Sequence, residues 1–174
     1  MANDSDTPKP FIDGPSPFDD PSADIIIRSC EGVDFRIHKL LLTLASPFFK
    51  GMFELPQPMG PDGDETRRVK SDGTREGIPI ISLYDDQNAI CGKEVVEYVL
   101  SSCHPARLRS GHPSLSADLF EAVVDVATRY DMDWAAKMAF HDPHLLENNP
   151  FLLFAHACRK GRAEEATLAA QGTL

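Results

Sequence analysis

The chain has 174 residues, of which 42% are hydrophobic and 25% are charged, and its formal net charge is −10. This length and composition indicate one globular domain of ordinary size and exclude a chain that is disordered throughout. Its apolar runs are far shorter than the roughly 20 residues that cross a bilayer, and its acidic charge argues against binding nucleic acid through phosphates.

The first 21 residues are predicted to form a disordered acidic arm, because they contain five prolines and few aliphatic side chains. The start of the chain has neither a basic segment nor an apolar signal region, so we expect a cytoplasmic or nuclear protein that is not secreted. The four cysteines form no Cys-x-x-Cys pair and are expected to be free thiols in such a compartment.

A β-hairpin is the first predicted folded element. Its strands are "DIIIRS" (24–29) and "DFRIH" (34–38), and Gly32 suits a turn with positive φ between them. Apolar and polar residues alternate in the second strand, which predicts one covered face and one solvent-exposed face. The predicted covered residues are Phe35 and Ile37, and the predicted exposed residues are Asp34, Arg36 and His38.

Two short helices are predicted to follow the hairpin. From Lys39, apolar residues recur at spacings of three and four, which predicts a helix with a broad apolar face. That face comprises Leu40, Leu41, Leu44 and Ala45. Ser46 suits an N-cap and Pro47 suits a first helical turn, so "SPFFKGMF" is predicted to be a second helix. Its apolar residues cover much of its circumference, so it must be buried against its own domain or a partner.

The remaining chain alternates predicted loops with helices. Residues 56–79 hold four prolines, four glycines and nine charges, which predicts a flexible insertion. A third strand is predicted over "IPIISLYDD" (78–86), followed by a helix that Asn88 caps and that ends near Pro105. Four further helices are predicted. Ser114 or Ser116 caps the first, and the second starts at Asp131. The third starts at Asn149-Pro150 and ends at Gly161, and the fourth is "AEEATLAA". The predicted fold class is α+β.

Catalytic motifs are missing from the sequence, which has neither a Gly-x-Ser-x-Gly elbow nor a Gly-rich phosphate loop. The one alternative that would make the protein an enzyme is a metal- or thiol-dependent site. Its candidate residues are Cys103, His104, His141, His144, His156 and Cys158. Their spacing does not match a known zinc pattern, which favours ordinary histidines and apolar cysteines. We therefore predict no enzyme activity, catalytic residue, cofactor, metal or small-molecule substrate.

The hairpin and the helices after it resemble the front half of a BTB/POZ domain. The resemblance is carried by Asp24, "DFRIHK", Leu42 and "SPFFKGMF". The later segments "VVEYVL" and "LFEAVVDVATRYDMDWA" match the helical second half, so the resemblance runs from about Asp24 to Phe140. The insertion after "MFELPQP" and the segment "ACRKGRAEEATLAA" are similar to the short fungal type with little beyond the domain.

This resemblance implies a BTB/POZ-like domain over residues 22–141 and a C-terminal helical extension over 142–174. The expected fold is a small sheet with a β-hairpin, packed against a cluster of short helical hairpins. The expected function is a non-catalytic interaction module that forms a homodimer or recruits a protein partner. The alternative is a substrate adaptor for a cullin-based ubiquitin ligase.

The resemblance also implies partner-binding residues, which are Asp24, Lys39, Phe48, Phe49, Met52 and Phe53. For Asp24 and Lys39 two interpretations are open. They line a charged pocket, as in corepressor-binding relatives, or they form an ion pair that supports the fold.

Overall fold

The structure is a computed structural model that describes residues 11–55, 73–84, 89, 91–105 and 115–172. Within these residues, strands and helices mix as the α+β class requires. The strands are β1 (Ile12–Asp13), β2 (Ile25–Arg28), β3 (Val33–Ile37), β4 (Thr74–Arg75) and β5 (Ile78–Ser82). The helices are α1 (Lys39–Ala45), α2 (Pro47–Glu54), α3 (Lys93–Ser101), α4 (Ala117–Arg129), α5 (Asp133–Phe140), α6 (Pro143–Asn148), α7 (Pro150–Arg159) and α8 (Ala163–Gln171). No helix in the described ranges has the length and apolar character needed to cross a membrane.

The five strands form one sheet in the order β1-β3-β2-β5-β4. Strands β2 and β3 are the predicted antiparallel hairpin, and Gly32 in its turn has the expected positive φ of 82°. Strand β5 lies parallel to β2, which requires a long connection between them. That connection contains α1 and α2, so the hairpin leads directly into the two helices.

One face of the sheet packs against the helices to form the hydrophobic core. The sheet contributes Ile25, Ile27, Phe35, Ile37 and Ile81 to this core. Helices α6, α7 and α8 contribute to the same core through Leu145, Leu153, Ala157 and Ala169. The helices expected after residue 142 therefore share one core with the helices before them.

The other face of the sheet is also buried, so the predicted exposure of Asp34 and Arg36 is wrong, whereas the side chain of His38, just after β3, is 40% exposed. Asp34 and Arg36 are buried, and Arg36 is paired in register with Ile26, which is paired in turn with Ile80 on β5. All of β3 is buried on both sides. The cover comes from the two ends of the sheet, which approach each other over this face.

Four charged side chains join the two ends of the sheet. Arg28 binds Asp34 through two hydrogen bonds of 2.6 and 2.8 Å. Arg75 Nη1, from β4, lies 2.8 Å from Asp34 Oδ2 and 3.0 Å from Asp13 Oδ1. Because β1 and β4 are the outermost strands of the sheet, this contact requires the sheet to curl until its edges meet. We call Asp13, Arg28, Asp34 and Arg75 the ion cluster.

Asp34 lies at the centre of the ion cluster and remains ionised. Burial alone would raise the pKa of Asp34, but hydrogen bonds and charges from Arg28 and Arg75 outweigh it and lower the pKa below its ordinary value. Arg36 forms a second pair beside the cluster, with its Nη2 2.8 Å from Glu76 Oε2. Each buried charge on this face is therefore compensated by a partner from another strand or turn.

Residues 11–21 are folded, which corrects the prediction of a disordered arm for that part of the chain. Strand β1 pairs in parallel with β3, and the Gly14 amide donates to the Asp34 carbonyl at 2.8 Å. Phe18 is fully buried and contacts the Phe35 ring edge-on at 5.5 Å between centroids. A Cβ at position 14 would lie 3.0 Å from Phe35 Cδ1, so only glycine fits there without displacing its neighbours. The expectation for residues 1–10 lies outside the described residues.

The predicted insertion over 56–79 is wrong for its last residues. Residues 74–75 and 78–79 are strand, and the turn between them has positive φ at Glu76 (55°) and Gly77 (79°). Two successive positive φ values are typical of a type I′ hairpin. Residues 56–72 lie outside the described residues. The predicted third strand (78–86) corresponds to β5, which ends at Ser82, and its last predicted residues, Asp85 and Asp86, also lie outside the described residues.

Two helix starts also differ from the prediction. Helix α3 begins at Lys93 with Gly92 as its N-cap residue, and the Glu31 carboxylate accepts a hydrogen bond from the Lys93 amide at 2.9 Å. A side chain from the hairpin turn thus replaces the expected cap at Asn88. Helix α5 begins two residues after Asp131, because Asp131 has a positive φ of 50° that interrupts the helical backbone.

Replacing Asp34 with Asn should lower the free energy of unfolding by about 3 kcal/mol, because two largely buried arginines lose their carboxylate partner. Urea unfolding followed by circular dichroism measures the change. The matched control is Asp13→Asn, because the Asp13 side chain is 54% exposed and its removal should cost less than about 1 kcal/mol.

Replacing Asp34 with Asn should also change how the stability of the protein depends on pH in acid. A lowered folded pKa means that the contribution of Asp34 is complete above about pH 4, the ordinary value for an unfolded aspartate. It is lost as the pH falls through the lower folded value. Wild type should therefore lose stability below about pH 4 more steeply than Asp34→Asn, and equal slopes would contradict the assignment.

Candidate interaction surface on α1 and α2

Helix α1 is fixed at its start by the residue that precedes β2. Asp24 Oδ1 accepts a hydrogen bond from the Lys39 backbone amide at 2.7 Å, at the first residue of the helix. A carboxylate at this position satisfies an amide that has no partner within the helix. Its negative charge also interacts favourably with the positive end of the helix dipole. Asp24 therefore links the hairpin to α1.

Ser46 separates α1 from α2 and fixes both to α4. Its hydroxyl accepts a hydrogen bond from the Phe49 amide at 3.1 Å, which confirms the predicted N-cap, and Pro47 occupies the first turn. The same hydroxyl donates to the Tyr130 carbonyl at the end of α4. Because Ser46 is fully buried, one side chain satisfies two backbone groups that water cannot reach.

The inner face of α2 is an aromatic cluster. The Phe49 ring stacks on Tyr130 at 5.6 Å between centroids, and Phe53 stacks on Phe49 at 6.0 Å. The Tyr130 hydroxyl accepts a hydrogen bond from the Tyr84 amide, which ties the cluster to the sheet. Phe49 is fully buried, so it belongs to the core and lies out of reach of a partner.

The outer faces of both helices carry large apolar side chains in contact with solvent. Leu40 and Leu44 are one turn apart on α1 and are 65% and 76% exposed. Phe48, in the first turn of α2, is 42% exposed, although its ring also contacts Tyr130 edge-on at 5.2 Å. We call Leu40, Leu44 and Phe48 the α1–α2 surface. Exposed groups of large apolar residues mark interaction sites more often than isolated ones do.

The apolar face predicted for α1 is right for two of its four residues. Leu41 and Ala45 are partly buried against the core, whereas Leu40 and Leu44 are exposed. The fully buried residue of the helix is Leu42, which lies outside the predicted face. Five of the seven residues of α1 are apolar, so their spacing does not distinguish the inner face from the outer one. The sequence offers no other local signal for the exposed pair.

The other four predicted partner-binding residues have different surroundings. Met52 and Phe53 are half-buried, and Lys39 Nζ lies 5.9 Å from the centre of the Phe53 ring. Asp24 is exposed and contacts the backbone of Lys39, not its ammonium group. The described contact between Asp24 and Lys39 is thus a helix cap, and the ammonium group stands beside an aromatic ring.

The cysteines and histidines of the enzyme alternative have separate surroundings. Burial raises the pKa of Cys103 to about 12, so this thiol is protonated at neutral pH. His104 packs edge-on against Phe18, and His141 Nδ1 lies 2.8 Å from the Lys137 carbonyl. His156 Nε2 lies 2.6 Å from Glu121 Oε1. Over the described ranges, no three His, Cys, Asp or Glu side chains are placed to hold a metal ion.

No family model matches the chain, and no curated protein matches it. The α1–α2 surface is therefore interpreted from its geometry and from the sequence resemblance.

Replacing Ser46 with Ala should lower the free energy of unfolding by about 2 kcal/mol, because the α2 cap and the hydrogen bond to Tyr130 are lost together. Ser116→Ala is the matched control, since Ser116 is an exposed N-cap that accepts from the Leu119 amide and should cost about 1 kcal/mol. Chemical denaturation of both variants measures the difference. Equal losses would contradict the double role of Ser46.

Proposed function

We propose that this protein is a non-catalytic interaction module of the BTB/POZ type, and that its α1–α2 surface mediates self-association or recruits a protein partner. One observation carries the proposal: Leu40, Leu44 and Phe48 stay exposed on two consecutive helices whose inner faces are fixed in the core. A fold that buries Leu42 and Phe49 completely leaves these three side chains for another molecule.

The energetics support this use of the surface. Full burial of one large apolar side chain contributes roughly 1.5–3 kcal/mol, so three of them supply a useful part of a binding free energy. The helices are already held by Asp24, Ser46 and Tyr130, so binding does not have to order them first. Pre-organised surfaces bind more tightly than surfaces that must be ordered on contact.

The order of elements supports the BTB/POZ type. The chain runs from a hairpin through two short helices to a strand parallel to β2, and then through successive helices. This is the order that the sequence resemblance implies. The protonated Cys103 thiol is a poor nucleophile, which supports a non-catalytic role for that group.

Replacing Leu44 with Glu should remove the interaction while leaving the fold intact, because the side chain is exposed and a carboxylate opposes burial in an interface. The matched control is Trp134→Glu, which places the same charge on an exposed aromatic position of α5. Light scattering measures self-association, as a mass above the 19.2 kDa of one chain. Affinity purification from cells measures partner recruitment.

The proposal predicts that Leu44→Glu loses the higher mass or specific partners that wild type and Trp134→Glu retain. Circular dichroism and thermal unfolding establish that all three proteins are equally folded. If Leu44→Glu keeps both the mass and the partners of wild type, the α1–α2 surface is not the working surface and the proposal fails.

A further inference from the structure

Helix α7 presents a second apolar stripe to solvent. Phe151, which is 76% exposed, is followed at helical spacings of three, four and seven residues by three more exposed residues without charge. These four residues, which we call the α7 stripe, are Phe151, Phe154, Ala155 and Cys158. The opposite face of the helix is buried through Leu153, His156 and Ala157.

The orientation of the α7 stripe is fixed by contacts on the buried side of the helix. The His156 ring packs edge-on against Phe120 at 5.4 Å, and its Nε2 lies 2.6 Å from Glu121 Oε1. Lys160 Nζ, just after the helix, lies 2.8 Å from Asp125 Oδ1. Three contacts to α4 therefore prevent α7 from rotating to bury its own phenylalanines.

We infer that the α7 stripe binds the α7 stripe of a second copy of this chain, with the two helices antiparallel about a two-fold axis. The inference is independent of the proposed function. It depends on the order of large and small side chains along the stripe, which is large, large, small, small. An antiparallel pairing centred between Phe154 and Ala155 places Phe151 opposite Cys158 of the second copy, and Phe154 opposite Ala155 of the second copy.

Each phenyl ring then meets a small side chain, as close packing across a helix pair requires. A parallel pairing would instead oppose ring to ring and small residue to small residue, with crowding at one end and a void at the other. The sequence of the stripe therefore favours a second, antiparallel copy over a parallel one.

The charges at the ends of the helix fit the same arrangement. Glu147 is exposed just before α7, and Arg159 is exposed at its last residue. Antiparallel pairing brings Arg159 of each copy towards the start of α7 in the other copy, which Glu147 on α6 precedes, and it also opposes the two helix dipoles favourably. Because one stripe is much smaller than the roughly 800 Å² per partner of a standard interface, we expect weak pairing that depends on concentration.

Sedimentation equilibrium of the full chain at several concentrations tests the pairing. Wild type should approach twice the mass of one chain as concentration rises, and Phe151→Glu should weaken this association at least tenfold. Trp134→Glu is the matched control for an exposed aromatic residue and should associate like wild type. Leu44→Glu separates the inference from the proposed function, because it alters only the α1–α2 surface.

Disulfide trapping tests whether the α7 stripes of two copies lie against each other. Ala155 lies next to the two-fold axis, so Ala155→Cys should form a linked dimer under mild oxidation when the exposed Cys30 and Cys158 are replaced by Ser. Gln171→Cys in the same background is the matched control, because it is exposed at the end of α8, outside the stripe. Linkage through position 155 and not through 171 supports the inference.

Three results would overturn the inference: a monomer at every concentration, unchanged association of Phe151→Glu, or equal trapping at positions 155 and 171. Each of them leaves partner recruitment through the α1–α2 surface standing. Association that Leu44→Glu removes and Phe151→Glu preserves would likewise overturn the α7 pairing, while supporting the proposed function. Association lost in Phe151→Glu and kept in Leu44→Glu supports the α7 pairing.

Discussion

Asp34 is a charged residue in the middle of a buried strand, and the arrangement of the sheet depends on how that charge is compensated. Arg28 reaches it from β2 and Arg75 from β4, and Arg75 also binds Asp13 on β1. An ionised carboxylate without these partners would be strongly unfavourable in the interior. Arg75 thereby joins β4 to β1, while residues 11–21 are folded through the pairing of β1 with β3 and the burial of Phe18.

The curled sheet determines which surfaces are left for other molecules. One sheet face is covered by its own curl, and the other is covered by helices that share a single core. Helix α1 is fixed at its start by Asp24, and helix α7 is fixed on its buried side by His156. The apolar residues on the outer faces of α1 and α7 stay exposed, because the inner faces of these helices are the ones that pack in the core.

Local patterns predicted the elements but not what covers them. The hairpin, the Ser46 cap and the positive φ of Gly161 follow from residue types that suit only a few backbone geometries. The alternation in β3 has the same appearance whether its polar side faces water or two arginines, because Arg75 is 41 residues away. Phe18 belongs to a proline-rich segment whose composition resembles disorder, and its place in the core depends on the Phe35 and His104 rings, which are distant in sequence.

The candidate site shows the same limit. The neighbours Phe48 and Phe49 are both predicted as partner-binding residues. Phe49 stacks on the Tyr130 ring in the core, whereas Phe48 contacts the same ring edge-on and stays partly exposed. Which side of α1 faces inward depends on where β3 ends and where Asp24 lies, not on the run of leucines. Long-range packing thus decides which apolar residues are available for binding.

Hydrogen–deuterium exchange of the Gly14 amide tests the folded arm and the curled sheet together. This amide donates to the Asp34 carbonyl, so it should exchange as slowly as the amides that pair β2 with β3. Exchange at the rate of an unfolded peptide would show that β1 is not held against β3, and it would contradict the curled sheet.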